Sequence, residues 1–359
     1  VALSPTEIHG VTLGAGAPAK LAARGVRFLA AAAEDDPAPA PAGVRAIEAS
    51  AGVENVVADV FETGGHGVAL LRGRPDLADA ALAFATRLLA SSERVAIPVG
   101  DEIVLIGSLD PALDPSAPAI VLVHGLRRDS RSLEPLRAAL ATALPYRILA
   151  VDLRAHGASI ATSSGSPIGF EQLSGGVPDE DVRSYRGLLR DVEAVVRFAT
   201  NTGDDGTAPA RWAIVGAGFG GTLAVVAAGA ATADPGVGPP AAIVLLSPVA
   251  NMHGLSIWES LGARLRPGGV QVFAAASSRA SMSLDDAAEG IGSDARTVRT
   301  ISTMLGPGAP VRIYPSDAYA EDLQAAHRDL VPAIVEFLRR IAVSSQQSAR
   351  TRHELTADC

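Results

Sequence analysis

The sequence predicts an α/β fold built on a mostly parallel, doubly wound sheet. Three observations carry this. Short apolar runs such as Ala119–Val123 and Ala242–Leu246 alternate with helical stretches. Strands covered on both faces by crossover helices read this way. A glycine-rich turn, Gly216-Ala217-Gly218-Phe219-Gly220-Gly221, joins one such run to an apolar helix. Finally, the first 90 residues recur, in order, near the other end of the chain.

Composition narrows the classes. The chain has 359 residues, 48% of them hydrophobic, enough for one large domain or two smaller ones. The net charge of −9 argues against nucleic acid as a partner. Lys20 is the only lysine, and Ala and Gly abound, the imprint of a GC-rich bacterial genome. Cys359 is the only cysteine, so neither an intrachain disulfide nor a cysteine metal site is expected. The seven histidines contain no H-x-x-x-H pair, so no metal is expected. The chain opens at Val1 without a basic then apolar leader, and compartment is not read from it. Trp212 to Ala233 carries no charge, yet Gly216, Gly218, Gly220 and Gly221 interrupt it; a buried strand and helix explain it better than a membrane span.

In chain order, a strand is expected at Val26–Ala32, then a polar loop and a helix. A second strand at Val53–Phe61 and an amphipathic helix at Asp76–Leu89 follow. Arg94–Pro98 and Glu102–Leu109 read as a hairpin, and Pro111–Pro118 as a proline-broken loop. Next come a strand (Ala119–Val123), a helix (Ser132–Thr142), a strand (Arg147–Val151) and a polar loop (Ala158–Asp179). Asp181–Thr200 has a helical apolar face of Leu188, Leu189, Val192, Val195, Val196 and Phe198. After the glycine turn come strands at Ala242–Leu246, Val270–Ala276 and Val311–Tyr314, then a helix at Leu330–Ile341. Ser344–Cys359 is polar and aperiodic, a frayed tail.

The repeat is ordered. Leu3-Ser4-Pro5 returns as Leu246-Ser247-Pro248, and His9-Gly10-Val11-Thr12-Leu13 as His253-Gly254-Leu255-Ser256-Ile257. Gly25–Ala32 matches Gly269–Ala276 at the same offset. Asp76-Leu77 and Phe84 match Asp329-Leu330 and Phe337 at a slightly larger one, which places extra loop residues in the second copy.

The turn fits two chemistries. Gly216-x-Gly218-x-x-Gly221 is the spacing that lets a flavin or NAD pyrophosphate approach a helix N-terminus. Gly216-x-Gly218-x-Gly220 is also the frame of G-x-S-x-G, with glycine in the serine's place. The first needs an acidic residue closing the next strand, but Ala242–Leu246 runs into Ser247-Pro248. Upstream, a strand ends in His124-Gly125-Leu126. The next runs into Asp152-Leu153-Arg154-Ala155-His156-Gly157-Ala158-Ser159, similar to D-x-R-G-H-G-x-S. With these, the chain resembles the α/β-hydrolase fold family, of the esterase or dienelactone-hydrolase kind.

The resemblance implies a division into 1–90, the last third of one hydrolase domain; 91–343, a whole second domain; and the tail 344–359. In the first copy it places the catalytic acid at Asp36, with Asp35 the alternate, and the base at His66. In the second, the nucleophile position holds Gly218. Asp36 falls on Ala280, Asp35 on Arg279 and His66 on Tyr319. The N–H groups of Leu126 and Phe219 would form an oxyanion hole. Glycine offers no nucleophile, so this chain is expected to be inactive alone. Asp36 and His66 would serve only with a serine from outside it, supplied by a missing first-domain half. A pseudohydrolase scaffold or binder of a small ester-like ligand is the alternative, and a flavin or NAD protein a third.

Overall fold

A computed structural model describes residues 2–3, 17–22, 28–36, 40–52, 56–64, 68–74, 77, 92–100, 102–112, 117–173, 184–201, 211–278, 294–306 and 309–341. The glycine turn sits at the centre of an eight-stranded sheet. β4 (Glu93–Val99) and β5 (Ile103–Asp110) form the expected antiparallel hairpin. Six parallel strands follow: β6 (Ala119–Val123), β7 (Arg147–Asp152), β8 (Trp212–Ala217), β9 (Ala242–Leu246), β12 (Gln271–Ser277) and β13 (Val311–Tyr314). Their order is β13-β12-β9-β8-β6-β7-β5-β4. A small hairpin, β10 (Asn251–Met252) and β11 (Leu255–Ser256), leaves the sheet after β9.

The apolar runs lie at the middle of the sheet because both faces are covered. Every residue of β6, β8 and β9 is buried. One face packs on the helices Gly187–Thr200 and Phe219–Ala231, through Leu188, Val192, Leu223 and Ala227. The other packs on Glu134–Ala143 and a helix over 330–341, through Leu136, Leu140, Ile334 and Leu338. Alternate residues of one strand serve opposite faces, Ile214 in the first core and Val215 in the second. The helix expected from Asp181 begins only at Gly187. Tyr185 and Arg186 form a turn before it, and Gly187 lets the Arg154 guanidinium approach within 2.5 Å of where its Cβ would stand. That arginine pairs with Asp191, the two nearly fully buried.

The N-terminal residues form a separate sheet. β1 (Ala2–Leu3), β2 (Phe28–Ala33) and β3 (Val56–Phe61) are parallel, in that order. Val44, Ile47 and Ala51 of the helix Ala40–Ala51 pack on one face; Leu70 and Leu77 pack on the other. The expected helix Asp76–Leu89 lies almost wholly outside the described residues.

The pairing registers of the two sheets correspond. Leu3 pairs with Ala31 as Leu246 pairs with Ala275. Ala30 pairs with Ala58 as Ala274 pairs with Val311, and Ala33 with Phe61 as Ser277 with Tyr314. Beyond the strands, Arg74 N–H donates to the Leu70 carbonyl as His327 N–H donates to that of Leu323, each at 2.9 Å. The Arg74 guanidinium lies over the Phe61 ring, and His327 stacks on Tyr314.

Candidate functional site

The site is built on Gly218, between β8 and the helix Phe219–Ala231. Its backbone stands at φ 53° and ψ −125°, a conformation that side chains disfavour. Its N–H donates to the Leu246 carbonyl of β9 at 2.8 Å, and its own carbonyl accepts from Gly221. The other glycines serve helix–strand packing. A Cβ on Gly216 would lie 2.5 Å from the Gly220 carbonyl oxygen, and one on Gly220 would strike the His124 carbonyl. A Cβ on Gly221 would lie 3.3 Å from the Gly216 carbonyl oxygen and 3.4 Å from Pro248. Close backbone approach thus accounts for Gly216 and Gly220, and a positive φ for Gly218.

Tyr319 lies in the loop after β13, and its side chain reaches the elbow. Its hydroxyl is 3.0 Å from the Cβ position of residue 218. Gly218 and Tyr319, about a hundred residues apart in the sequence, are thus brought together. Glu321 holds this loop in place. Its buried carboxylate accepts the Gly125 N–H at 2.6 Å and lies 3.4 Å from the Ser132 hydroxyl. Gln324 Oε1 accepts from Leu136 N–H, and Arg128 pairs with Asp322.

Two buried histidines shape the loop carrying Leu126. His124 Nε2 accepts from Leu153 N–H at 3.0 Å, so the proton is assigned to Nδ1, which donates to the Gly125 carbonyl. Burial, reinforced by the neighbouring His156, pushes the His124 pKa down to about 4. His156 repeats the arrangement: Nε2 accepts from Arg127 N–H and Nδ1 donates to the Arg154 carbonyl, with burial lowering its pKa. Both rings are therefore neutral braces for backbone. Leu126 is half-buried on this loop and Phe219 buried at the start of the helix, whose first N–H groups have no intrahelical acceptor. An aromatic wall runs beside them: Phe219 against His253 edge-on, His253 stacked on Tyr185 at 3.8 Å, then Phe170 and His156.

Ala280 and Arg279 lie outside the described residues. At the ends of β12 and β13, the Ser277 hydroxyl meets Ser316 at 2.6 Å, and Ser316 meets His327 Nε2 at 2.7 Å. In the N-terminal sheet, Asp36 is buried, while the exposed Asp35 accepts the Gly64 N–H with both oxygens, at 3.1 and 3.2 Å. This ties the loop after β2 to the loop after β3. His66 lies outside the described residues. Among the described residues, no His/Cys/Asp/Glu group is arranged to hold a metal, and no helix is long and apolar enough to cross a membrane. Sequence reasoning missed Glu321, the serine–histidine relay and the aromatic wall. Only the position of Glu321, two residues past Tyr319, carried any signal in the sequence.

A sharp strand–turn–helix elbow, a His-Gly loop beside it and this strand order define an α/β-hydrolase fold. The family model described as the alpha/beta hydrolase family matches residues 120–352, and the chain belongs to that family. Among solved structures, it is similar to an esterase of Pyrococcus furiosus, with 14% identity, 71% of this chain and 93% of that chain covered, and a TM-score of 0.47. It is also similar to an alpha/beta hydrolase of Novosphingobium aromaticivorans, with 16% identity, 70% and 99% covered, and a TM-score of 0.47. No curated protein matches it.

Proposed function

We propose that residues 91–343 form a catalytically silent α/β-hydrolase domain of serine-esterase ancestry. The observation that carries this is the elbow itself. Residue 218 keeps a strained nucleophile-type backbone but has no side chain, and a phenol rather than an imidazole reaches it. A serine mechanism needs a hydroxyl and a base to deprotonate it. Here the nucleophile, acid and base positions hold Gly218, Ala280 and Tyr319. Loss of a serine nucleophile costs about 10⁶ in kcat, and loss of its partners afterwards adds little, so all three positions drift together. The N–H groups of Leu126 and Phe219 remain as a carbonyl-binding pair.

We further infer that residues 1–90 repeat the last three strands of such a domain, with Asp36 as acid and His66 as base for a serine from outside this chain. The matching registers and paired backbone hydrogen bonds support this reading. A small ester is the substrate class to which such a completed site would belong.

The test is p-nitrophenyl acetate hydrolysis by the full chain, with a fluorophosphonate probe for reactive serines. The expected result is background turnover and no labelled serine. Turnover with stoichiometric labelling of one serine would refute the proposal.

A further inference from the structure

The N-terminal sheet has one edge whose counterpart is occupied elsewhere in the same molecule. β1 ends the order β1-β2-β3, and among the described residues nothing pairs with its outer edge. Its counterpart β9 is flanked by β12 on one side and β8 on the other. On the β8 side, Ala217 pairs with Leu246, and the Gly218 N–H donates to the Leu246 carbonyl at 2.8 Å. On the β12 side, Leu246 pairs with Ala275 as Leu3 pairs with Ala31. By the same register the Leu3 carbonyl faces the outer edge of β1. The five C-terminal residues of β2 are buried, which marks an interior strand of a covered parallel sheet. An open parallel edge next to such a strand is a template for a further strand.

We propose that the outer edge of β1 docks a parallel strand that runs into a serine elbow, as the front half of an α/β-hydrolase domain would supply. The residue before the serine pairs with Leu3, and the serine's own N–H donates to the Leu3 carbonyl. The proposal rests on reading residues 1–90 as a repeat. It adds the partner's class, the strand direction and the register.

The chain holds a stand-in for that partner. A second copy of residues 92–243, carrying Gly218→Ser, is placed directly ahead of Val1 in the full chain, so that Val1 continues β9 in place of Val244. Amide exchange in the segment containing Leu3 is then compared with the parent protein. Protection by a stable ladder predicts slowing of about tenfold or more. A cysteine pair, Ala217→Cys in the added copy and Leu3→Cys, gives a second reading on a Cys359→Ser background. Adjacent strands lie about 4.8 Å apart, within disulfide reach, so a cross-linked peptide is expected. Unchanged exchange together with no cross-link overturns the proposal. So does concentration-dependent protection in the parent protein, because the occupant is then a second copy of the chain. Strand pairing without ester turnover would uphold the docking and count against the roles of Asp36 and His66.

Discussion

At Gly218 the backbone holds a conformation that L side chains disfavour, and the atoms nearest to a Cβ there belong to the Tyr319 phenol. The Tyr319 hydroxyl is the flexible end of a long side chain, so a serine here displaces it slightly. Gly218→Ser is expected to fold with a loss of about 1–3 kcal/mol from the strained backbone. Alone it should stay at background turnover, because the side chain nearest to it is a phenol rather than an imidazole. Adding Tyr319→His restores the base, and fluorophosphonate labelling of Ser at 218 should rise about tenfold or more over the single variant. Unlabelled double variant with a native melting curve would contradict this placement of the base. Gly220 behaves differently. Its Cβ would meet the His124 carbonyl, a main-chain atom at the end of β6 that cannot swing away. Gly220→Ala should therefore cost about 3 kcal/mol or more by thermal or urea unfolding, exceeding the loss for Gly218→Ser.

Between elements, the loop after β13 and the loop after β6 are joined by one buried contact, Glu321 to the Gly125 N–H. Glu321→Ala leaves that N–H without its acceptor and should destabilise by about 1–3 kcal/mol. The same variant should raise amide exchange at Gly125 and Ser132 before the rest of the domain. His124 braces the adjacent turn only while neutral. Its folded pKa of about 4 lies below the ordinary 6.5, so between these values the unfolded chain binds a proton that the folded one does not. Stability therefore rises with pH across that window and falls as pH drops from about 6.5 toward 4, by about 3 kcal/mol at most. A melting series from pH 7.5 to 4.5 checks this. His124→Gln should flatten the curve, and an equal slope in the variant would assign the effect elsewhere.

Across the whole molecule, an eight-stranded sheet carries the glycine turn and a separate three-stranded sheet is formed by the N-terminal residues. The parts legible in the sequence were those fixed by local periodicity. The alternating strands and helices, the β4–β5 hairpin and the central strands all follow from apolar runs whose two faces are both covered. The helix start near 187 was not legible, because Gly187 is set by the Arg154–Asp191 pair rather than by helical periodicity. The 3.0 Å approach of Tyr319 to Gly218 joins residues about a hundred positions apart in the sequence. Glu321 and the Ser277–Ser316–His327 relay were invisible, since each links segments distant in sequence by contacts that leave no local spacing. The glycine spacing was legible but ambiguous. A close approach to a pyrophosphate and a close approach to another strand both demand the absence of a Cβ. The sequence by itself determined the α/β architecture and the glycine at 218, because these are properties of residue type and order. Only the tertiary structure decided what fills the space around Gly218 and which backbone the neighbouring glycines admit, because those depend on atoms that come together only when the sheet closes.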